Sequence, residues 1–385
     1  MTAKLNVYLI FSLISLLISC NSTTQKEEQS SDDILTKDKV IESLTLVNDK
    51  WQAEHKIENQ NAFWHHTTYH IGNLAAHEIT KNQKYLDYTL EWAEHNDWQG
   101  AKSTNREEWK FSYGETDEYV LFGDWQACFQ VYIDLYNLNP EDFKVARAKE
   151  VMNYEIHTDE NTYWWWIDGL FMVMPVMTRM YGLTQDSLYL DKLYQYYSYT
   201  KEQVYDEETG LFYRDAKYIY PKHQTNSGKK DFWSRGNGWV FAAIARTLDG
   251  LPKTDSHYQD YVDVYTKMAE TLKSTQQAEG YWTRSLFDPE QAPGPETSGT
   301  TFFTYGMLWG MNNGILDKAE YTPLVEKSWK YITETAIQND GTLGYVQPIG
   351  ENAMPGQIVD NQSTSDFGVG AFLLACSEMV KFIGG

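Results

Sequence analysis

The chain has 385 residues, of which 42 % are hydrophobic, and a formal net charge of −22. This length and apolar content suffice for one large domain or two of ordinary size. The strong negative charge repels nucleic acid, and no basic cluster opposes it, so we expect no nucleic-acid partner. Three cysteines at wide spacing predict neither a disulfide framework nor a zinc site, and we expect Cys128 and Cys376 to be buried.

The N-terminus predicts a secretory signal. Lys4 precedes an apolar run over residues 5–18 that is too short to span a membrane, and Leu17-Ile18-Ser19-Cys20 follows. This ending resembles a bacterial lipobox, in which Cys20 is acylated, for instance with palmitate, and becomes the mature N-terminus. An ordinary cleaved signal is the alternative. We therefore assign residues 1–19 to a lipoprotein signal peptide and expect a lipid anchor in the bacterial outer membrane, on the periplasmic face or the cell surface.

The next segment is typical of a flexible tether. Residues 21–33, NSTTQKEEQSSDD, are polar and charged and contain no aromatic residue. We place the tether at residues 20–40 and a single catalytic domain at residues 41–385.

From residue 62 onwards the apolar residues recur with helical spacing, and strand-like runs are short. The spacing predicts helices over 62–80, 85–96, 124–138, 170–181, 188–204, 238–248, 258–276, 301–311, 321–337 and 367–382. The loops between them repeatedly place aromatic residues beside glycine. So many helices without a proline-rich break predict an all-α fold, an (α/α)₆ barrel whose loops gather around one cavity. An open helical solenoid is the alternative.

The segment 163–172, YWWWIDGLFM, is the most informative for function. Asp168 follows three tryptophans and precedes a strongly apolar helix. Desolvation in such surroundings disfavours the charged carboxylate, so its pKa should rise toward the range of a proton donor at neutral pH. The alternative is that Asp168 only caps the helix.

Two further segments combine glycine with side chains that bind sugars. In residues 233–239, WSRGNGW, the glycines allow close approach of a ligand, and Arg235 carries a planar fork suited to a carboxylate. Residues 296–300, ETSGT, place an acid and hydroxyls, Ser298 among them, on a turn before a helix. Asp124 also begins a helix. The acid of the ETSGT turn and Asp124 have a structural alternative as helix caps.

Three histidines, His65, His66 and His70, precede or open a helix. No carboxylate accompanies them at the sequence spacing of a metal site. We therefore expect them to serve packing or sugar hydrogen bonds, and we expect no metal and no cofactor.

Together, the motifs WIDGLFM (166–172), RGNGW (235–239) and ETSGT (296–300) resemble those of the unsaturated uronyl hydrolases. The resemblance is to glycoside hydrolase family 105, the unsaturated rhamnogalacturonyl hydrolases, with family 88 as a more distant cousin. It extends over most of the chain from Ala62 to Ile383. It implies an (α/α)₆ barrel that acts without a metal.

The resemblance also implies roles for individual residues. Asp168 matches the catalytic acid, and Asp124 matches the aspartate that holds substrate hydroxyls. Arg214 stands where many relatives carry a histidine after Phe-Tyr, which bears on the choice of leaving sugar, and the segment from Arg214 to His223 resembles a branch common among Bacteroidetes. The expected substrate-binding residues are Asp124, Arg235, Trp239, Trp166, Tyr69, Arg214, His223 and Ser298.

The implied function is removal of a 4,5-unsaturated uronic acid from the non-reducing end of oligosaccharides made by polysaccharide lyases. The substrate is an enol ether, so a single acid can protonate C4 while water adds at C5. We expect an oligosaccharide as partner, from ulvan or another sulfated algal glycan or from rhamnogalacturonan, and a monomeric protein. The alternatives are another (α/α)₆ glycosidase or polysaccharide lyase, and a non-catalytic glycan-binding lipoprotein.

Overall fold

The computed structural model describes Met1 and residues 35–385, so the predicted signal peptide, Cys20 and most of the tether lie outside the described residues. The first helix begins at Lys37, inside the stretch predicted as tether. Its start is fixed because the Thr36 hydroxyl oxygen accepts a hydrogen bond from the Lys39 amide at 3.3 Å. Val40 and Leu44 are the first residues of this helix to enter the core.

The described residues are mainly helical. The helices are α1 (Lys37–Glu54), α2 (Trp64–Thr80), α3 (Gln83–His95), α4 (Gly123–Gln126), α5 (Cys128–Leu138), α6 (Phe143–Ile156), α7 (Asp168–Thr184), α8 (Leu188–Val204), α9 (Ser234–Gly250), α10 (Tyr258–Thr275), α11 (Thr297–Asn312), α12 (Lys318–Tyr331) and α13 (Asp366–Gly384). Two short strands, β1 (Tyr205–Asp206) and β2 (Leu211–Phe212), form an antiparallel pair after α8.

Six helices form a closed inner ring. Helices α2, α5, α7, α9, α11 and α13 each contact the next, and α13 packs against α2, which closes the ring. The outer helices α1, α3, α6, α8, α10 and α12 pack against α13, α2, α5, α7, α9 and α11 respectively. The predicted (α/α)₆ barrel is therefore confirmed, and the open solenoid is excluded because the first and last inner helices are in contact.

Burial explains which helices lie inside. Thr297 to Met311 of α11 are all buried, and the hydroxyls of Thr300, Thr301 and Thr304 donate to carbonyl oxygens of the preceding turn. The closure between α2 and α13 needs two glycines, since a Cβ on Gly72 would lie 2.3 Å from the Gly370 carbonyl oxygen. Cys128 and Cys376 are buried, as predicted.

Among the described helices, α13 alone has the length and apolar composition of a membrane span. However, 78 % of its apolar window is buried inside the ring, which marks it as a core helix.

The inner helices share one direction. The N-terminal ends of α2, α7 and α9 line a cavity at one end of the ring, and the C-terminal parts of the inner helices line a second cavity at the other. Because helix dipoles place partial positive charge at N-termini, the first end favours a negatively charged ligand.

Candidate active site

The cavity at the N-terminal ends has a volume of about 250 Å³. Its lining combines aromatic rings with charged groups from α2, α4, α7, α9 and the intervening loops. The lining includes Trp64, His65, Tyr113, Glu115, Asp124, Trp165, Trp166, Asp168, Arg214, Arg235 and Ile349. Such a lining of flat rings and a few convergent polar groups is typical of a pocket for a small ligand.

Asp168 is the first residue of α7 and points into this cavity. Its Oδ2 atom is buried and accepts no hydrogen bond from the described residues, and it lies 3.5 Å from the Arg214 Nε atom. The observed surroundings thus favour a chemical role over a simple cap. Burial raises the pKa of this carboxyl, while the positive charges of Arg214 and Arg235 partly offset the rise.

Asp124 faces the same cavity from the first turn of α4. Burial raises its pKa well above the ordinary aspartate range, the charge of Asp168 adds to the rise, and the charge of Arg214 opposes it. Asp168 has both guanidinium groups among the influences that lower its pKa.

Arg214 follows β2 and is held from several sides. Its Nη1 atom lies 2.6 Å from Asp215 Oδ2 and 3.5 Å from Glu351 Oε2, and its guanidinium stacks over the Trp165 ring at 5.6 Å. The Ile167 amide donates to the Arg214 carbonyl oxygen at 3.1 Å. The backbone thus couples this arginine to the start of α7.

Arg235 lies in the first turn of α9 and is almost completely buried. Its two Nη atoms donate to the carbonyl oxygens of Gln347 and Pro348, at 2.5 and 3.0 Å. The fork predicted to bind a substrate carboxylate is therefore already used to hold the segment beside Ile349. What remains for a ligand is the charge of the guanidinium and its Nε atom, which has no partner among the described residues.

Trp166 also lines the cavity as predicted, stacked on the Phe122 ring at 4.8 Å. Gly169 allows the Trp166 ring to pack closely against the start of α7, because an added Cβ would lie 3.2 Å from the ring.

Four predicted substrate-binding residues are not among those that line this cavity. The buried Tyr69 hydroxyl donates to the Asn48 side chain of the outer helix α1 at 2.7 Å. Trp239 is buried against Phe171 and Phe302. The Ser298 hydroxyl donates to Glu296 at 2.6 Å, and His223 pairs with Asp231 at 2.9 Å. In each case a neighbouring side chain satisfies or covers the group predicted to meet the sugar.

The ETSGT motif is a structural cap. The Glu296 carboxylate accepts from the amides of Ser298 and Gly299 and also from the Gln347 amide at 3.1 Å. It thereby joins the start of α11 to the segment that Arg235 holds.

Sequence reasoning missed two parts of the pocket. The first is Tyr113 with Glu115, whose side chains hydrogen bond at 2.6 Å on the loop between α3 and α4. The FSYGE sequence of this loop places aromatic residues beside glycine, the same pattern that predicted the other site segments. The second is His65 with Asp366, which are 301 positions apart and meet only because the ring closes.

His65, His66 and Asp366 bring ligand atoms within 4.8 Å of one another, so a metal must be considered. The two Nδ1 atoms lie 2.7 and 3.0 Å from the same Asp366 oxygen. Ligand atoms around a tetrahedral zinc ion, with bonds of about 2.0–2.1 Å, stand about 3.3 Å apart. The observed distances therefore match hydrogen bonds better than shared metal ligation.

A closed double ring of helices with charged and aromatic side chains in a cavity at the helix N-termini defines the class of (α/α)₆ barrels. The family model described as Glycosyl Hydrolase Family 88 matches residues 36–383. The chain therefore belongs to glycoside hydrolase family 88, and the predicted resemblance to the unsaturated uronyl hydrolases is confirmed.

Three relatives show how near the similarity is. An unsaturated 3S-rhamnoglycuronyl hydrolase from Formosa agariphila is 33 % identical over 353 residues, covering 89 % of this chain and 90 % of the relative. A solved family 88 glycosyl hydrolase from Bacteroides vulgatus is 54 % identical, with a TM-score of 0.88 over 90 % of this chain and 99 % of its own. A structure described as a polysaccharide lyase is 55 % identical, with a TM-score of 0.88 over 91 % and 98 % of the two chains.

Proposed function

We propose that the protein is an exo-acting unsaturated uronyl hydrolase, which removes a terminal 4,5-unsaturated uronic acid from the products of polysaccharide lyases. The observation that carries the proposal is the juxtaposition of buried Asp168 with Arg214 and Arg235 in one small aromatic pocket. A cavity of about 250 Å³ suits one terminal sugar ring better than the interior of a polymer. The name of the Formosa relative supports the same substrate class.

The charges of the pocket explain how a uronate would change Asp168. A substrate carboxylate near Arg235 adds negative charge that offsets part of the positive charge lowering the pKa of Asp168 in the free enzyme. Binding should therefore raise this pKa further, so that Asp168 carries the proton when the substrate arrives.

The chemistry then needs one residue. Asp168 donates its proton to C4 of the double bond, which leaves positive charge at C5 shared with the ring oxygen. Water adds at C5 and returns a proton to Asp168. The hemiketal so formed opens, and its C1 centre releases the neighbouring sugar. Asp124 lines the same cavity and is suited to orient the uronyl ring through the hydroxyls of the sugar.

The leaving sugar is proposed to be a rhamnose that carries sulfate, as in ulvan. The Formosa relative is named for a 3S-rhamnoglycuronyl substrate. In this chain Arg214 is only partly exposed and sits between Asp168 and the rim residue Glu351. This is the place where a leaving sugar would lie next to the reacting bond.

The test is the absorbance of the conjugated double bond during incubation with lyase-made oligosaccharides from ulvan and, in parallel, from rhamnogalacturonan. We expect absorbance to fall with the wild-type enzyme. Asp168→Asn keeps the shape of the side chain but not its proton, so its rate should fall by a factor of at least about 10² to 10⁴. Activity of this variant within tenfold of wild type would exclude Asp168 as the acid.

Polysaccharide lyase activity is the second candidate, because the 55 % identical structure is described as a lyase. β-Elimination also needs a uronate whose charge is neutralised, which the two arginines offer. A lyase creates the double bond, so absorbance would rise on intact uronate-containing glycan. A rise on polymer without any fall on oligosaccharides would favour this candidate over the hydrolase.

We also propose that Cys20 anchors the protein in the outer membrane through lipid. The support is the lipobox-like Leu17-Ile18-Ser19-Cys20 after an apolar run. In a cell fractionation, Cys20→Ser should move the protein from the membrane to the soluble fraction. If the variant still sediments with outer membranes after a salt wash, the lipobox assignment is wrong.

A further inference from the structure

The histidine pair at the start of α2 is not used by the chemistry above. His65 lines the active-site cavity, and its side chain is 24 % exposed there. Its Nδ1 atom lies 2.7 Å from Asp366 Oδ2 at the start of α13. His66 approaches the same oxygen at 3.0 Å, and the two imidazole rings lie 4.0 Å apart.

This arrangement fixes the tautomer of His65. A carboxylate only accepts hydrogen bonds, so the imidazole must donate from Nδ1, and in the neutral ring Nε2 is then the acceptor. Burial raises the pKa of Asp366, but the hydrogen bonds from His65 and His66 hold it below its ordinary range. Its second oxygen accepts from the Phe367 amide at 3.0 Å, which fixes the carboxylate in turn.

We propose that His65 is a substrate-binding residue whose Nε2 atom accepts a hydrogen bond from a free hydroxyl of the bound uronyl ring, and that Asp366 is its positioning residue. Because Nδ1 is turned to Asp366, the opposite edge of the ring is the one available to the cavity. An acceptor at this place selects a hydroxyl and disfavours a sulfate ester or ether, which has no proton to donate. The inference rests on the proposed function and adds a requirement for an unsubstituted hydroxyl on the terminal sugar.

The experiment measures kcat and KM for wild type, His65→Ala, Asp366→Asn and the double variant on one unsaturated oligosaccharide. We expect His65→Ala to raise KM about five- to tenfold with a much smaller change in kcat, as for loss of one neutral hydrogen bond. Asp366→Asn should raise KM in the same direction. The double variant should be no worse than His65→Ala, because Asp366 acts through the imidazole.

The matched control is His77→Gln. His77 lies on the same helix, with its Nδ1 atom 2.9 Å from the Asn82 carbonyl oxygen, but it faces the opposite end of the ring. Its KM should equal that of wild type. If His65→Ala does not fold, as judged by its thermal midpoint, His65→Gln replaces it and should recover part of the affinity through its amide oxygen.

Several outcomes would overturn the proposal. An unchanged KM in His65→Ala, or additive losses in the double variant, would show that the pair only supports the fold. A stoichiometric metal in the purified wild type that is lost in His65→Ala would replace the hydrogen bond with metal ligation. If wild type consumes no unsaturated oligosaccharide, the proposed function fails first, and the same variants are then measured on the lyase reaction, which also requires the uronyl ring to be bound.

Discussion

Asp168 and Asp124 differ in what surrounds them, and that difference decides their roles. Asp124 is buried and the Asp168 side chain is mostly buried, and burial raises the pKa of each. The positive charges of Arg214 and Arg235 lower the pKa of Asp168 in the free enzyme, whereas Asp124 has Arg214 but not Arg235 among the influences on its pKa. A substrate carboxylate near Arg235 offsets part of the positive charge that acts on Asp168.

A pH profile should show the change. The pH dependence of kcat/KM reports the free enzyme, and that of kcat reports the complex. We expect the alkaline limb, where Asp168 loses its proton, to lie at higher pH for kcat than for kcat/KM, by about one unit. Coincident alkaline limbs would mean that substrate charge does not reach Asp168.

Arg214 is expected to affect which leaving sugar the enzyme prefers. Arg214→His restores the residue that many relatives carry and weakens the contact proposed for sulfate. We expect kcat/KM to fall more on a sulfated oligosaccharide than on its desulfated counterpart, by about tenfold. Equal losses on the two members of the pair would leave Arg214 without a part in specificity.

Among the elements, α6 shows why a helix can escape prediction. Its sequence, FKVARAKEVMNYEI, places charged residues at positions that face the core. Lys144 donates to the Asn139 carbonyl oxygen at 2.9 Å, and Arg147 donates to the carbonyl oxygens of Ala101 and Ser103 at 2.7 Å each. These charged residues interrupt the apolar spacing that would predict a helix. They can be buried because loop carbonyls, which the local sequence does not reveal, accept their hydrogen bonds.

Glu155 on α6 makes the stability of the fold depend on pH. It is fully buried, accepts a hydrogen bond from Gln126, and burial raises its pKa to about 8. Since the folded-state pKa exceeds the unfolded value of 4.5, this group favours folding below pH 4.5, and the benefit is lost as pH rises toward 8.

Glu155→Gln keeps the hydrogen-bond acceptor and removes the titration. Chemical unfolding at several pH values should show a shallower loss of stability between pH 5 and 8 in the variant, by up to about 1.4 kcal/mol per pH unit. Parallel curves for variant and wild type would show that Glu155 is ionised in the folded protein.

At the scale of the whole molecule, closure of the ring depends on the contact between α2 and α13. A Cβ on Gly72 would meet the Gly370 carbonyl oxygen at 2.3 Å, and a Cβ on Gly370 would meet the Thr68 carbonyl oxygen at 2.2 Å. Backbone atoms cannot move aside as a flexible side chain does. The two helices would have to separate, and the distance between His65 on α2 and Asp366 on α13 would increase.

Gly72→Ala should therefore destabilise the protein by about 1–3 kcal/mol, measured by chemical unfolding, and lower activity as well. Gly182→Ala is the matched control, because Gly182 is an exposed helical glycine with nothing within 4 Å of an added Cβ. That variant should be neutral or more stable by about 0.5–1 kcal/mol. A Gly72→Ala protein as stable as wild type would show that the closure tolerates a wider spacing.

The helical class of the fold was predictable from the sequence, because hydrophobic periodicity is a local property. Five of the predicted site residues, Asp168, Asp124, Trp166, Arg214 and Arg235, stand in motifs beside aromatics or glycine, and all five line the cavity. Tyr69, Trp239, Ser298 and His223 carry the same local signals, but their side chains contact other protein groups outside the cavity lining.

Contacts between residues far apart in the chain could not be predicted from the sequence. The tertiary structure showed that the Arg235 fork is held by the Gln347 and Pro348 carbonyls, and that Asp366 meets His65 across the ring closure. The physical reason is that a side chain's hydrogen bonds and desolvation are set by whatever packs against it. Those neighbours can come from any part of the chain, whereas helical periodicity depends only on residues within a few turns of one another.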